Sequence, residues 1–297
     1  MIRRFCDLDG TILFSYRHEI GKKVLVERYQ EKELSYMQES SYNLLQQMDE
    51  KEFIPLTSRT IEQYQRISFF KDGRKPRYAL LNNGGILLVN GKVDEKWKTA
   101  TFHMVKKEIM TMKRITDELE KFGTVKWQDE LVIFLKLFRE QDYPAIEQLA
   151  EENHLMVFRH FSKVYLCSKK LNKGYAVKRF MTTYLSGRSG KQNDDVIIVA
   201  GDAKVDLSMM MMADVCVFSK SLQEEYAALK KQYYLTQYGN HSFVTEQQMD
   251  RNESEKRTEV LYKIQKQEVI FTENEMIGET VLGWQVPIFQ WDHHSMS

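Results

Sequence analysis

The stretch FCDLDGTILFS, Phe5–Ser15, ends a short apolar run in two aspartates, Asp7 and Asp9, with Gly10 and Thr11 following at once. Residues 2–7 read as a buried strand. In a strand, positions i and i+2 share a face, so both carboxylates project where the strand gives way to a turn. Gly10 permits a sharp turn, and Thr11 offers a hydroxyl and a backbone N–H. Taken alone, the pair is equally a turn with solvated charges.

Working outward, the same pattern recurs. The strand-like run EFIPLTS (52–58) ends in Thr57 and Ser58, followed by Arg59. Lys173 begins a helix behind Asn172, a side chain suited to capping, where helix N–H groups also favour a phosphate. The β-branched run DVIIVAGD (195–202) fits a central strand of a parallel sheet. It leads into GDAKVD, which sets Asp202 and Asp206 four residues apart, on one side of a helical turn. Each feature has a bland alternative, as cap, turn or surface lysine. Together they place polar groups at the carboxyl edge of an α/β sheet, where such sheets bind ligands.

The elements alternate, which predicts an α/β fold: a doubly wound, Rossmann-like parallel sheet core with an inserted α+β cap domain. The core comprises residues 1–89 and 169–297, and the cap residues 90–168. In the cap, a helix over 102–122, the pair TVKW and ELVIFLKLF, a helix at YPAIEQLAEEN and the pair LMVFRHF and KVYLCSK predict antiparallel sheet with helices on one face. Residues 14–37 read as a charged hairpin, 40–49 and IEQYQRISFF as helices, and YALLNNGGILLVNGK as strand–turn–strand. The segment after about residue 221 exceeds what the core needs. It carries helix patterns near 222–232 and 253–266, and strand patterns at EVIFT and ETVLGWQVPIF.

The 297 residues are 42% hydrophobic and 29% charged, with 43 basic and 42 acidic side chains and a formal net charge of +1. No basic excess points to nucleic acid or an anionic membrane. There is no apolar run of transmembrane length and no secretory h-region. Cys6, Cys167 and Cys216 show neither metal spacing nor an even disulfide framework, so the cytoplasm is expected. Met209–Met212 read as helix packing, Asp292-His293-His294 as a solvated tail, and Trp284, Phe289 and Trp291 as pins of the tail to the core or a partner patch.

Several carboxylates at one sheet edge need a cation. Oxygen donors without Cys or His favour Mg2+, held by carboxylates, water and substrate phosphate. A carboxylate can then attack phosphorus and form an aspartyl-phosphate. Lys173 and the Thr57 hydroxyl suit the phosphoryl oxygens. A second carboxylate can protonate the leaving oxygen and later activate water.

These residues, in this order, resemble the haloacid dehalogenase-like superfamily. DLDGT (7–11) is similar to its first motif, LTSR (56–59) to its second, NKG (172–174) to its third and GDAKVD (201–206) to its fourth. The resemblance implies Asp7 as nucleophile and Asp9 as general acid/base, with Thr57 and Lys173 on the phosphoryl group. It implies Mg2+ held by Asp202, Asp206, the Asp7 side chain and the Asp9 backbone carbonyl. Gly10, Thr11, Ser58 and Arg59 become candidate substrate contacts. The insertion lies between the second and third motifs, as in type-two capped members, and resembles the caps of sucrose-phosphate and Cof-type phosphatases and of eukaryotic phosphomannomutases. Asn83 is then a substrate contact or simply part of the Asn-Gly turn.

The expected function is hydrolysis of a small phosphorylated metabolite, a sugar phosphate among the candidates. The alternatives are a phosphomutase and a non-catalytic protein that kept the fold. The sequence leaves open the substrate, the oligomeric state and the roles of the hairpin and the tail.

Overall fold

Strand β1 (Ile2–Cys6) is paired on both sides by parallel neighbours, so the side chains at its carboxyl end, Phe5 and Cys6, are buried on opposite faces. This computed structural model describes residues 1–72, 75–160, 162–185, 195–238 and 267–285. The chain continues through β2 (Phe14–Ser15), β3 (Lys23–Tyr29), β4 (Lys32–Gln38), α1 (Glu39–Gln47) and β5 (Phe53–Pro55). After α2 (Ile61–Gln65) and α3 (Phe69–Asp72) come β6 (Tyr78–Leu81), β7 (Ile86–Val89) and β8 (Lys92–Val93). The inserted unit holds α4 (Glu95–Arg114), α5 (Thr116–Leu119), β9 (Gly123–Gln128), β10 (Val132–Leu137), α6 (Tyr143–Glu152), β11 (Leu155–His160) and β12 (Lys163–Ser168). Then follow α7 (Lys173–Phe180), β13 (Val196–Gly201), β14 (Val215–Ser219), α8 (Gln223–Tyr238), β15 (Glu268–Thr272) and a last helix, α9 (Asn274–Gly283).

The five-stranded sheet has the order β15-β14-β13-β1-β5 and is parallel throughout. From β1 the chain first builds one flank, β5, and later the other, β13 to β15. The switch falls beside β1, where open α/β sheets bind ligands. Alternation along the strands separates two apolar layers. Phe5, Val199 and Phe218 pack with Val177 and Phe180 of α7. Cys6, Ile198 and Val217 pack with Leu45 of α1 and with Ile277 and Val281 of α9. This is the doubly wound α/β core expected.

The segment after residue 221 is therefore not surplus to the core. EVIFT is β15, an added parallel strand. ETVLGWQVPIF is not a strand over its described part. Residues up to Gly283 are helical, with Ile277, Val281 and Leu282 buried on one face. The decisive partner is distant in sequence. Buried Arg4 donates from Nε to the Val281 carbonyl at 3.0 Å and from Nη2 to the Trp284 carbonyl at 2.6 Å, meeting acceptors that a helix end leaves open. The helix predicted near 253–266, the Asp292-His293-His294 tail, Phe289 and Trp291 lie outside the described residues.

The long helix of the insertion starts at Glu95 rather than 102 and breaks at Ile115. Asp94 caps it, accepting the Trp97 N–H at 2.8 Å. Its first turns are fastened to the core: Trp97 Nε1 donates to the Gly84 carbonyl at 2.9 Å, and the Arg179 guanidinium lies 3.7 Å from the Trp97 ring centroid. IEQYQRISFF forms two short helices rather than one. The break falls where Ile67 pairs with Glu27 of β3. The inserted sheet, β11-β12-β10-β9, is antiparallel, with one face on Val105, Ile109 and Met112 of α4 and Ile146 of α6. No helix among the described residues is long and apolar enough to cross a membrane.

Candidate active site

Asp7 follows β1 directly, and its N–H donates to the Ala200 carbonyl of β13 at 3.0 Å. That pairing holds the Asp7 backbone beside the end of β13, where Asp202 stands. The chain then turns at Gly10, φ +85°, where an added Cβ would lie 2.2 Å from Asp202 Oδ2. Only glycine fits that conformation and that approach. Thr11 Oγ1 donates to Asp202 Oδ1 at 3.1 Å.

Lys173 is brought in by α7. Asn172 caps the helix, accepting the Tyr175 N–H at 2.9 Å. Gly174 lets α7 lie against the turn after β13, since a Cβ there would stand 2.0 Å from the Ser208 carbonyl oxygen. Lys173 Nζ then lies 2.6 Å from both Asp7 Oδ1 and Asp206 Oδ1. Asp206 is fully buried, and its second oxygen accepts the Ala203 N–H at 2.9 Å. It thus orients the lysine as well as adding charge.

Carboxylate oxygens of Asp7, Asp202 and Asp206 lie within 4.8 Å of one another. Burial, more than Lys173 can offset, pushes the Asp7 carboxyl well above its usual range, and Asp206, Asp202 and Asp9 push it further. Burial and Asp206 raise Asp202 to about 6. Burial opposes the charge on Lys173, but Asp206 and Asp7 outweigh it and hold the ammonium above its ordinary value. One ammonium among three carboxylates leaves net negative charge in a buried space. An all-oxygen donor set with that surplus fits a hard divalent cation such as Mg2+.

Asp9 points elsewhere. Its side chain is 53% exposed and takes both arms of Arg59, Nε to Oδ2 at 2.8 Å and Nη2 to Oδ1 at 2.7 Å. Arg59 Nη1 donates to Glu27 Oε2 at 2.9 Å. Glu27 is 2% exposed and also accepts from Ser35 Oγ at 2.7 Å and Arg66 Nε at 3.1 Å. Burial opposes the Arg59 charge, and the Asp9 and Glu27 carboxylates more than compensate. The predicted hairpin 14–37 is real, and its β3–β4 ribbon carries Glu27 and Ser35 to this place.

Thr57 is fully buried after β5, and its Oγ1 accepts the Arg59 N–H at 3.2 Å. Ser58 is exposed. Asn83, φ +54°, donates its N–H to the Thr57 carbonyl at 2.9 Å, and its buried Oδ1 has no hydrogen-bond partner among the described residues. Its neighbour Asn82 was not singled out from the sequence. It donates from Nδ2 to Asp129 Oδ2 at 2.7 Å, and the same oxygen accepts the Ile61 N–H at 3.1 Å. The turn between β9 and β10 is thereby clasped to the core. One row of the inserted sheet aligns Lys126, Phe134, Tyr165 and Phe158 across four strands. Burial, then the Asp9 carboxylate, raises the Tyr165 phenol.

Asp7, Thr11, Lys173, Asp202 and Asp206 thus meet directly, with Gly10 against them. Asp9 and Arg59 form an adjoining pair, and Thr57 and Asn83 are joined through the backbone. Sequence reading missed Glu27, Ser35, Arg66, Asn82 and Tyr165. A carboxylate flanked by Val26 and Arg28 in a strand was the one available hint of Glu27.

No protein-family model matches the sequence, and no curated protein matches it significantly. Solved structures do. The sucrose-phosphatase of Synechocystis, determined with sucrose and phosphate, is 17% identical, with 81% of this chain and 89% of that chain covered and a TM-score of 0.50. A Thermoplasma acidophilum protein is 16% identical over 79% of this chain and 99% of that chain, with a TM-score of 0.49. A haloacid dehalogenase-like hydrolase from Bacteroides thetaiotaomicron is 13% identical over 77% and 92%, with a TM-score of 0.48. This chain shares the α/β fold of the sucrose-phosphatase. In that fold, the residues of the four motifs stand at the ends of β1, β5 and β13 and at the start of α7.

Proposed function

We propose that the protein is a Mg2+-dependent phosphomonoester hydrolase acting on a small phosphorylated metabolite, a sugar phosphate among the candidates. The observation that carries this reading is the contact of Lys173 with both Asp7 and Asp206, beside Asp202, at the carboxyl edge of the parallel sheet. Asp7, Asp202, Asp206 and the Asp9 carbonyl would hold Mg2+. Bound there, the ion neutralises charge so that a phosphate dianion approaches a carboxylate.

The chain's own groups account for the rest. An Asp7 oxygen attacks phosphorus, the ester P–O bond breaks, and the leaving oxygen takes a proton from Asp9. Lys173 and the Thr57 hydroxyl hold the phosphoryl oxygens through this step. Water then attacks the aspartyl-phosphate and gives its proton to Asp9. The Asp7–phosphorus link breaks, and inorganic phosphate leaves. Thr11 and Gly10 keep Asp202 close, and Asp206 keeps Lys173 aimed at Asp7.

Residues 90–168 act as a cap over a core formed by 1–89 and 169–297, a reading supported by the Asp129 clasp. The row Phe134–Tyr165–Phe158 then faces the organic part of the ester. Three buried free thiols suit a reducing compartment, and we assign the protein to the cytoplasm. The test is phosphate release from p-nitrophenyl phosphate and a panel of phosphorylated metabolites, with Mg2+ and after chelation. Turnover that needs Mg2+ and disappears in Asp7→Asn is expected. Equal turnover by Asp7→Asn would refute the mechanism.

A further inference from the structure

We infer that Glu27, on the hairpin inserted after the first motif, is a positioning residue of the catalytic site: it acts through Arg59 to fix the Asp9 carboxylate. The inference rests on the hydrolase reading above and assigns the hairpin a part in it.

The geometry forms a chain. A two-bond fork between guanidinium and carboxylate fixes both distance and plane, so the Asp9 orientation follows that of Arg59. A half-exposed aspartate on a turn would otherwise sample several rotamers. Arg59 is in turn set from behind, because Nη1 reaches Glu27 Oε2 at 2.9 Å and Nη2 lies 3.4 Å from Ser35 Oγ. Glu27 itself has little freedom. Ser35 and Arg66 hold its two oxygens, and almost none of it meets solvent.

The backbone is shaped for this. Consecutive residues of a strand point to opposite faces, yet Val26 and Glu27 are both buried. The β3–β4 register shifts between Leu25 and Glu27 and again between Glu27 and Arg28, an irregularity of the kind that re-aims a side chain beside an active site. The Val26 carbonyl accepts the Ser68 N–H at 2.8 Å, tying the hairpin to the segment after α2. A buried carboxylate costs stability unless it is paired. Glu27 meets two guanidinium groups, one of which grips Asp9.

The consequence depends on the leaving group. Expulsion of p-nitrophenolate needs little protonation, whereas an alkoxide needs a well-placed acid: Asp9 protonated on one oxygen, which gives up one arm of the fork while the other arm, backed by Glu27, keeps its direction. The experiment compares wild type, Glu27→Gln and Ser35→Ala on p-nitrophenyl phosphate and on glycerol 3-phosphate, with Mg2+, together with the melting temperature of each. For Glu27→Gln, kcat on the alkyl ester is expected to fall about ten-fold or more beyond any fall on the aryl ester, with KM changed less than about two-fold on either. Ser35→Ala is expected to show the same split at about three-fold; it also decides the matter if Glu27→Gln does not fold. Equal losses on the two esters, or none, would overturn the inference and leave the hydrolase reading standing. A wild type inactive on both esters would overturn the hydrolase reading and this inference with it.

Discussion

Asp7 and Asp9 are separated by one residue, yet their surroundings differ in kind. Asp7 is buried against Lys173 and two other carboxylates, all delivered by the ends of the parallel sheet and by α7. Asp9 is half exposed, and its partners come from a side structure, Arg59 backed by the bulged ribbon β3–β4. The first environment concentrates negative charge and suits a cation and a phosphoryl group. The second pairs charges one against another and suits a group that must hold its direction while facing solvent. A single turn of chain thus joins a site made by the fold to a site made by an addition to the fold.

The comparison breaks if the two carboxylates prove interchangeable. Asp7→Asn should abolish turnover, with a loss on the order of 10⁴-fold in kcat on aryl and alkyl phosphates alike, because in the proposed mechanism every turnover needs that oxygen. Steady-state phosphate release measures this. The side structure is next. Arg59→Met leaves buried Glu27 with one guanidinium instead of two, and should cost about 3 kcal/mol in urea unfolding. A loss below about 1 kcal/mol would mean that Arg66 and Ser35 suffice. Asp129→Ala removes two hydrogen bonds between the inserted turn and the core, at about 1 kcal/mol. Its effect should fall on neither carboxylate environment, so the pairings of Asp7 and Asp9 should be unchanged in a crystal structure of the variant.

The smallest expected effect concerns pH. Asp7 and Asp202 bind protons more tightly in the folded state than the ordinary aspartate value of about 3.9. Their contribution is fully present below that value. It is lost as pH rises through about 6 for Asp202 and through the higher value of Asp7. Mg2+ held as proposed would replace those protons. The rise in melting temperature on adding Mg2+ should therefore grow between about pH 5 and pH 8. An increment that does not change with pH would place the ion away from these carboxylates.

The first environment was legible in the sequence because it consists of strand ends. Runs such as VIIVAG announce a buried parallel strand, and acids after such runs fall at one edge. The second was not legible. Whether Glu27 faces in or out turns on a bulge, and a one-residue shift inverts every facing along a strand. The last helix failed for a related reason. Val281 and Leu282 in ETVLGWQVPIF fit either period, and the choice is made by α1, by the sheet and by the guanidinium of Arg4. The insertion's first helix was dated late because its opening turns, EKWKTAT, look polar, although Trp97 and Thr101 are buried against the core.

Arg4 carries a further consequence, one of time. Its partners at Val281 and Trp284 follow it by 277 and 280 residues, and the β13 strand that completes its pairing begins at Val196. On the ribosome, β1 and β5 can meet early, but the buried guanidinium waits for 277 and 280 further residues before its acceptors exist. Contacts of such sequence separation slow folding. Until α9 docks, the sheet presents an uncovered apolar face. The nascent protein must carry the strand that leads into Asp7 through some 277 further residues of synthesis with one side open.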